Sequence, residues 1–461
     1  MSFYRHDSGL AISAVLVSLI TFGMLGCADA EWQATQDEPT AAVRSEQAGA
    51  HQPVIEPSVE PQQPSHLVNP PDDPRAAIAA ALDDGLLGGE GSNNDKLRSM
   101  LEVAGVPEAS QVLVFSKTSL QHRLISPSNP RAIYFNDNCY IGYVPGGLVE
   151  YGDADPDPAV GSGMFAVDLR DEAKAALTVD GSCLACHEGA RTNGRAGFLV
   201  RSVFPNPDGH VITSAGSTTV GHHTPIEKRW GGWYVTGKSG QSHHRGNQVT
   251  IEHPNGDAYI DNAIGSNIED LSDRFNVKRY LQPTSDIVAL MVLEHQVQMH
   301  NRLTQGSTVV HEQYERSKSL AQYLEEPFEP SENETLQRVI ASNASRIVQQ
   351  MLYHDEVELT EPIVGSDAFI HQFRANRKED RRGRSLKDFD LDTRMFRYRC
   401  SYMVYSQAFD LMHPLLKEAV LLELKDVLEG NGSHSVYGYL GAGERKAILE
   451  ILKDTGVFRK G

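Results

Sequence analysis

One short segment of the chain carries two thiols and an imidazole at a spacing that lets them act on the same ligand. Residues 183–187 read Cys-Leu-Ala-Cys-His, and positions i, i+3 and i+4 lie on one face of a helical turn. Two thiols at this spacing can add to the two vinyl groups of one porphyrin while the adjoining imidazole reaches the iron. The motif predicts one covalent haem c, attached to Cys183 and Cys186, with His187 as the proximal iron ligand.

A C-x-x-C pair has two other chemical uses. It can form a reversible disulfide, or it can supply half of a zinc site. A redox pair needs no adjoining His, and the sequence has no second C-x-x-C to complete a four-cysteine zinc site. The haem prediction therefore fits these residues best, and the other two uses stay open as alternatives.

The N-terminus has the pattern of an export signal. Arg5 lies before an apolar run, residues 10–25, that is short for a membrane span and is followed by a polar stretch. We predict a signal peptide over residues 1–26. The segment that begins at Met24 resembles a bacterial lipobox and predicts a lipid anchor on Cys27, although such motifs usually begin with Leu. Simple cleavage nearby and an uncleaved anchor are the alternatives, and each of them places the body in the periplasm or cell envelope.

The chain has five cysteines, of which Cys139 and Cys400 are left after the anchor and the haem motif. In an oxidising compartment, two leftover cysteines are candidates for a disulfide. The alternative is one separate buried thiol at each position, because cysteine is among the most buried residue types. The sequence leaves both possibilities open.

The composition limits the classes of partner. With 40% hydrophobic and 22% charged residues the chain has ordinary globular content, and its formal charge is −19. Such an acidic surface disfavours nucleic acid and anionic lipid, and it suits a basic redox partner, although solubility explains it equally well. We predict a redox partner protein or a small electron donor or acceptor, and membrane contact only through a lipid on Cys27.

Composition and apolar periodicity divide the chain into four segments. After the signal peptide, residues 27–72 are rich in Pro, Gln, Glu and Ala without apolar periodicity, which predicts a disordered tether. Residues 73–280 form the haem-attachment region of strands and short helices, and residues 281–461 form a helical region packing on it. The predicted fold class is α+β, strand-rich around the haem motif and mainly helical in the C-terminal half.

The elements themselves follow from apolar periodicity and turn signals. The predicted strands are 111–116, 131–135, 139–144 and 164–169, followed by hairpins within 197–214, 229–237 and 248–259. The predicted helices are 75–82, 94–103, 285–305, 334–353, 414–428 and 444–455.

The iron ligand on the distal side is the main question that the motif leaves open. It is another His or Met, or it is absent. The helix predicted over 285–305 aligns Met291, His295 and Met299 in one stripe, where the alternative for His295 is a buried imidazole hydrogen-bonded to a neighbour. The other candidates are His222, His223, His243 and His244.

Several short motifs occur together between residues 110 and 455. They are NPRAIYFND (129–137), RWGGWYVTG (229–237), HRGN (244–247), LEHQ (293–296), MHN (299–301), CSY (400–402) and YS (405–406). In combination they resemble a family of exported bacterial monohaem c-type cytochromes, described as cytochrome c domain proteins. The resemblance implies haem ligation and export without a particular reaction. It favours His244 as the second iron ligand, or an open or His295-based distal site, because Arg245 stands where the family commonly has Met.

Three function classes fit these observations: an electron carrier, a monohaem enzyme with an open distal iron site, and a binding or sensing module. A minimal cytochrome c domain needs only about 100 residues, so the much larger body invites a substrate pocket. A single haem motif weakens both a relay between distant partners and a two-haem peroxidase scheme. We favour electron transfer, with a peroxidase- or oxidase-like enzyme as the alternative. Arg191, Arg195 and Arg201 follow the motif and can pair with haem propionates, or they are simply solvated.

Overall fold

The computed structural model of the protein describes residues 63–87, 91–170, 176–179, 181–252, 258–430 and 435–458. These residues belong to one compact unit, residues 61–461, and contain eleven α-helices and a seven-stranded antiparallel sheet. The predicted α+β class with a helical C-terminal half is confirmed. The predicted signal peptide, with Cys27, and most of the predicted tether lie outside the described residues.

The strands form one large sheet and two small hairpins. In chain order they are β1 (Val112–Val114), β2 (Arg131–Phe135), β3 (Cys139–Tyr143), β4 (Val149–Ala154), β5 (Ser162–Val167), β6 (Thr178–Val179), β7 (Arg201–Val203), β8 (Ser217–Thr219), β9 (Trp233–Tyr234), β10 (Ile251–Glu252) and β11 (Ala258–Tyr259). The large sheet has the order β6-β5-β4-β3-β2-β1-β9, while β7 pairs with β8 and β10 with β11. Sequence patterns predict β2 at its observed bounds and miss β4, a central strand.

The helices are α1 (Ser65–Val68), α2 (Pro74–Asp83), α3 (Asn93–Ala104), α4 (Leu184–His187), α5 (Asn262–Gly265), α6 (Ile287–Tyr323), α7 (Glu334–Met351), α8 (Asp367–Phe373), α9 (Gln407–Asp410), α10 (Pro414–Glu429) and α11 (Ala442–Asp454). The predicted helices lie within two residues of these bounds, except that α6 continues far beyond residue 305. The predicted tether is wrong at its C-terminal end, since α1 falls within residues 27–72. None of the described helices is both long and apolar enough to span a membrane.

The large sheet separates two hydrophobic cores, because successive side chains of a strand point to opposite faces. On one face, Ile141 and Tyr143 of β3 are buried against α2 and α3, which contribute Ile78 and Leu97. On the other face, Val114 and neighbouring residues join a larger core with α6, α7, α10 and α11. Each large apolar side chain buried in this way stabilises the fold by about 1.5–3 kcal/mol.

The long helix α6 is the central element of the larger core. Its N-terminus is capped by Asp286, whose carboxylate accepts the Ala289 N–H at 2.9 Å. Its first eleven residues, 287–297, are all buried, because this part of α6 lies between the sheet and the C-terminal helices. Polar residues in this stretch are therefore held by other protein groups rather than by water.

The two leftover cysteines are separate buried thiols. Cys139 lies in the core of α2 and α3, whereas Cys400 lies in the larger core on the other side of the sheet. Both thiols are free, so the disulfide considered from the sequence is wrong and the buried alternative is confirmed. Burial raises the pKa of both thiols and keeps them protonated.

Candidate haem site

The Cys-x-x-Cys-His segment forms one tight helical turn. Cys183 precedes α4, and its carbonyl accepts the backbone N–H groups of Cys186 and His187, each at 3.1 Å. No disulfide joins Cys183 to Cys186. All three side chains line one cavity of about 340 Å³, so the structure brings together the residues that the motif predicts for haem attachment.

The imidazole of His187 is oriented by a backbone carbonyl. His187 Nδ1 lies 2.8 Å from the Gly197 carbonyl oxygen, and the Gly197 N–H donates in return to the His187 carbonyl at 3.0 Å. A carbonyl can only accept, so Nδ1 carries the proton and Nε2 keeps its lone pair. Burial lowers the pKa of His187 and favours the neutral ring. This is the state and orientation of an imidazole that binds a metal through Nε2.

The carbonyl that orients His187 is fixed in turn by α6. The Phe198 N–H donates to Asn301 Oδ1 at 2.9 Å, and Asn301 Nδ2 donates to the Phe198 carbonyl at 2.7 Å. A Cβ at position 197 would lie 2.8 Å from Asn301 Oδ1, so a larger residue there would displace the Asn301 amide. Asn301 therefore acts as a positioning residue for the segment that holds the imidazole.

One face of the large sheet forms a wall of the cavity. Tyr140 and Gly142 of β3 lie opposite Gly152 and Glu150 of β4, and Gly152 lies opposite Met164 of β5. All five residues line the cavity, as expected for side chains on the same face of a sheet. The remaining lining residues of the sheet are Val114, Arg131, Ile133, Tyr151, Phe165 and Trp233.

Phe198 closes one side of this cavity. Its ring lies 4.6 Å from Tyr140 and 6.2 Å from His187, measured between ring centroids. The ring also lies directly over Gly152, where any Cβ would collide with it. The wall is therefore aromatic and flat, which suits the plane of a porphyrin.

Charged groups lie at the edge of the cavity. Arg131 forms an ion pair with Glu150, which also accepts hydrogen bonds from Gln121 at 3.0 Å and Ser119 at 3.1 Å. Burial alone would raise the pKa of Glu150, but Arg131 and these hydrogen bonds outweigh it and lower that pKa. The carboxylate is therefore ionised, and the pair puts both signs of charge into the cavity wall.

The arginines also offer unused donors. The buried Nε groups of Arg131 and Arg201 have no hydrogen-bond acceptor among the described residues, although Arg201 Nη2 donates to Ser217 at 2.8 Å. Guanidinium N–H groups of this kind suit the carboxylates of a haem. Of the three arginines that follow the motif, Arg191 and Arg201 line the cavity, whereas Arg195 pairs with Glu312 at 2.6 Å.

The structure does not bring His244 to this cavity. The His244 side chain is 1% exposed and packs against Trp230 at a ring-centroid distance of 5.0 Å. Its Nδ1 accepts the Gly246 N–H at 3.1 Å, which fixes the ring inside the loop that follows β9. His244 therefore has a packing and loop-positioning role here, away from Cys183 and His187.

The other distal candidates also lie elsewhere. His295 is fully buried, as the alternative for it predicts, with Nε2 2.7 Å from Ser401 Oγ and Nδ1 3.2 Å from His222 Nδ1. His222 Nε2 donates to the His354 carbonyl at 3.1 Å, so its Nδ1 accepts from His295. Among the described residues that line the haem cavity, apart from 183–187, Met164 alone offers a sulfur or imidazole donor.

Two of the sequence motifs join at a buried ion pair. Arg229 Nη1 donates to Glu294 Oε2 at 2.9 Å, and Trp230 Nε1 donates to the other carboxylate oxygen. Arg229 is 3% exposed and Glu294 is fully buried. The contact ties the loop before β9 to α6, which gives these motif residues a structural role.

Comparison with protein-family models, curated proteins and solved structures gives no match to this chain. The resemblance to exported monohaem cytochromes therefore stays a prediction. Within the described ranges, no group of three or more His, Cys, Asp or Glu side chains is arranged to hold a metal ion. A haem iron needs only one such side chain on its proximal side, for which the sequence motif predicts His187.

Proposed function

We propose that the protein is an exported c-type cytochrome that carries one haem, covalently attached to Cys183 and Cys186, and acts in electron transfer. The observation that carries the proposal is the His187 imidazole beside the cavity. Its Nδ1 is committed to the Gly197 carbonyl at 2.8 Å, which leaves Nε2 for the iron. When bound, the haem supplies an iron that takes up and releases single electrons.

The protein groups around the cavity have separate parts in this proposal. The apolar wall of Phe198, Tyr140 and Trp233 excludes water from the macrocycle. Arg131 and Arg201 would hold the haem propionates through their Nε–H groups, which have no acceptor among the described residues. Met164 is the candidate distal ligand, and a His and Met pair raises the reduction potential of a cytochrome.

The ion pair of Arg131 and Glu150 supports a second candidate, a monohaem oxidoreductase with an open distal position. A carboxylate and a guanidinium in the cavity wall can hold a small polar substrate and exchange protons with it. In that case Met164 is only packing. The two candidates differ in whether carbon monoxide binds the reduced protein.

Haem attachment is tested on the full chain isolated from the periplasm of a host that matures c-type cytochromes. We expect one covalently bound haem per chain, measured by its absorption after denaturation. Cys186→Ala should lose covalent attachment through one thioether, and Cys183→Ala with Cys186→Ala should lose it entirely.

The matched control is Cys139→Ala with Cys400→Ala, which removes two buried thiols that do not line the cavity. This variant should keep a full complement of haem. A wild-type protein that folds without haem under these conditions would overturn the proposal, as would unchanged attachment in the variant that lacks both motif cysteines.

A further inference from the structure

A second cavity lies beside the haem site, between α6, α7 and the segment that follows α4. Its volume is about 430 Å³, and its walls include Arg191, Arg302 and Arg346. Arg191 also lines the haem cavity, so the two cavities are neighbours. We call this second space the arginine cavity.

The arginine cavity has an excess of positive charge without partners. Arg302 of α6 and Arg346 of α7 are exposed, and neither forms an ion pair with any described residue. Arg302 and Arg346 line the same cavity. Although Arg302 as a whole is exposed, partial desolvation of its guanidinium and the nearby charge of Arg346 lower its pKa.

The acid in the arginine cavity does not neutralise this charge. Asp355 is the one acidic residue among the described lining residues, with its Oδ2 3.0 Å from His354 Nδ1, so a single carboxylate faces the guanidinium groups of Arg191, Arg302 and Arg346. The cavity therefore keeps an uncompensated positive potential, which attracts anions from solution.

The walls of the arginine cavity also supply an uncharged donor. Gln305 Nε2 is buried and has no hydrogen-bond acceptor among the described residues. A buried amide N–H without an acceptor is unfavourable, so a ligand oxygen at this point would stabilise the site. Two guanidinium groups and an amide N–H together match the oxygens of a small anion.

We propose that the arginine cavity binds a small oxyanion, held by Arg302, Arg346 and the amide of Gln305. The site goes beyond the proposed electron-transfer function and does not depend on it. Its position next to the haem cavity, with Arg191 shared by both, places such a ligand where its charge would act on the haem site.

The test is calorimetric titration of the full chain with inorganic phosphate at low ionic strength. Arg302→Gln and Arg346→Gln should each weaken phosphate binding roughly tenfold, because each loses a charged hydrogen-bond donor. Arg316→Gln on α6 and Arg338→Gln on α7 are matched controls, since both arginines are exposed on the same helices outside the cavity. Both controls should bind phosphate like the wild type.

Sulfate and acetate titrations identify the source of the oxyanion. Tighter binding of phosphate and sulfate indicates a tetrahedral ligand, and tighter binding of acetate indicates a carboxylate. Absence of binding for all three anions, or equal affinity in the wild type, Arg302→Gln and Arg346→Gln, overturns the proposal. Haem content is measured separately, so a protein without haem that binds phosphate contradicts only the electron-transfer function.

Discussion

Two hydrogen bonds join His187 and Gly197, one from the imidazole Nδ1 to the Gly197 carbonyl and one from the Gly197 N–H to the His187 carbonyl. These bonds fix the orientation of the imidazole that the sequence motif supplies. The motif determines that an imidazole adjoins the two thiols. Its tautomer depends on the Gly197 carbonyl ten residues later, and that carbonyl depends on Asn301 of α6. The orientation of the His187 imidazole, and with it the geometry that it would offer to the proposed haem iron, is therefore set by a chain of contacts that no local pattern contains.

Met164 is the residue whose substitution separates the two candidate functions. If its sulfur is the distal ligand, the iron of the wild-type protein is low-spin in both oxidation states, and the ferrous form does not bind carbon monoxide. Met164→Leu conserves side-chain volume and should convert the iron to a form that binds carbon monoxide at once. Absorption and paramagnetic resonance spectra of the ferric and ferrous protein measure this change.

Two controls accompany the Met164 variant. Met299→Leu alters a fully buried methionine of the α6 core and should leave the spectra unchanged. His244→Asn should also leave them unchanged, because His244 lies away from the cavity. A low-spin spectrum that persists in Met164→Leu and is lost in His244→Asn would contradict our assignment and restore His244 as the ligand.

At the scale of elements, α6 connects the parts of the site. It supplies Asn301 to the segment beside His187, Glu294 to the loop before β9, and Arg302 to the arginine cavity. Buried polar groups are favourable only when each has a hydrogen-bond partner. These contacts therefore fix the position of each segment relative to α6.

The buried ion pair gives a test of this role. Burial, opposed by Arg229, raises the pKa of Glu294 to about 7. Because pH 8 lies above this pKa, Glu294 is mostly ionised at pH 8. Glu294→Gln then leaves a buried guanidinium without its counter-charge, and we expect a loss of about 3–5 kcal/mol of unfolding free energy. Urea denaturation measures the loss.

Glu312→Gln is the matched control on the same helix. Glu312 pairs with Arg195 but is 56% exposed, so its loss should cost less than about 1 kcal/mol. Equal costs for Glu294→Gln and Glu312→Gln would mean that the buried pair does not hold α6 to the loop.

The sequence predicts local elements well and misses what long-range pairing creates. Alternation identifies β2 at its observed bounds, but β4 contains Gly152 and Asp153, residues that disfavour strands, and forms only because β3 and β5 flank it. Met164, Arg131 and Glu150 meet through that pairing, so sequence spacing gave no signal for them. The resemblance favours His244 as an iron ligand, whereas the structure packs His244 against Trp230 and keeps it in its loop.

Four histidines among the described residues are buried with neutral imidazole rings. His222, His244, His295 and His300 are each at most 4% exposed. Burial lowers the pKa of His222, His244 and His300 to about 3, and that of His295 falls well below its ordinary value. In the unfolded chain a histidine titrates near pH 6.5. Each therefore stabilises the fold fully above pH 6.5, and this contribution is lost as the pH falls toward 3.

Acid should therefore destabilise the protein well above the range where carboxylates titrate. At pH 5.5, one unit below the unfolded pKa, each buried histidine costs about 1.4 kcal/mol, so the four together remove about 5–6 kcal/mol. His244→Asn keeps an acceptor for the Gly246 N–H and removes one titrating ring. Its unfolding free energy, measured in urea between pH 7.5 and 5.5, should fall by about 1.4 kcal/mol less than that of the wild type. The exposed His122→Asn serves as control and should keep the wild-type slope; a His244→Asn slope as steep as that control would show that His244 is not held neutral by burial.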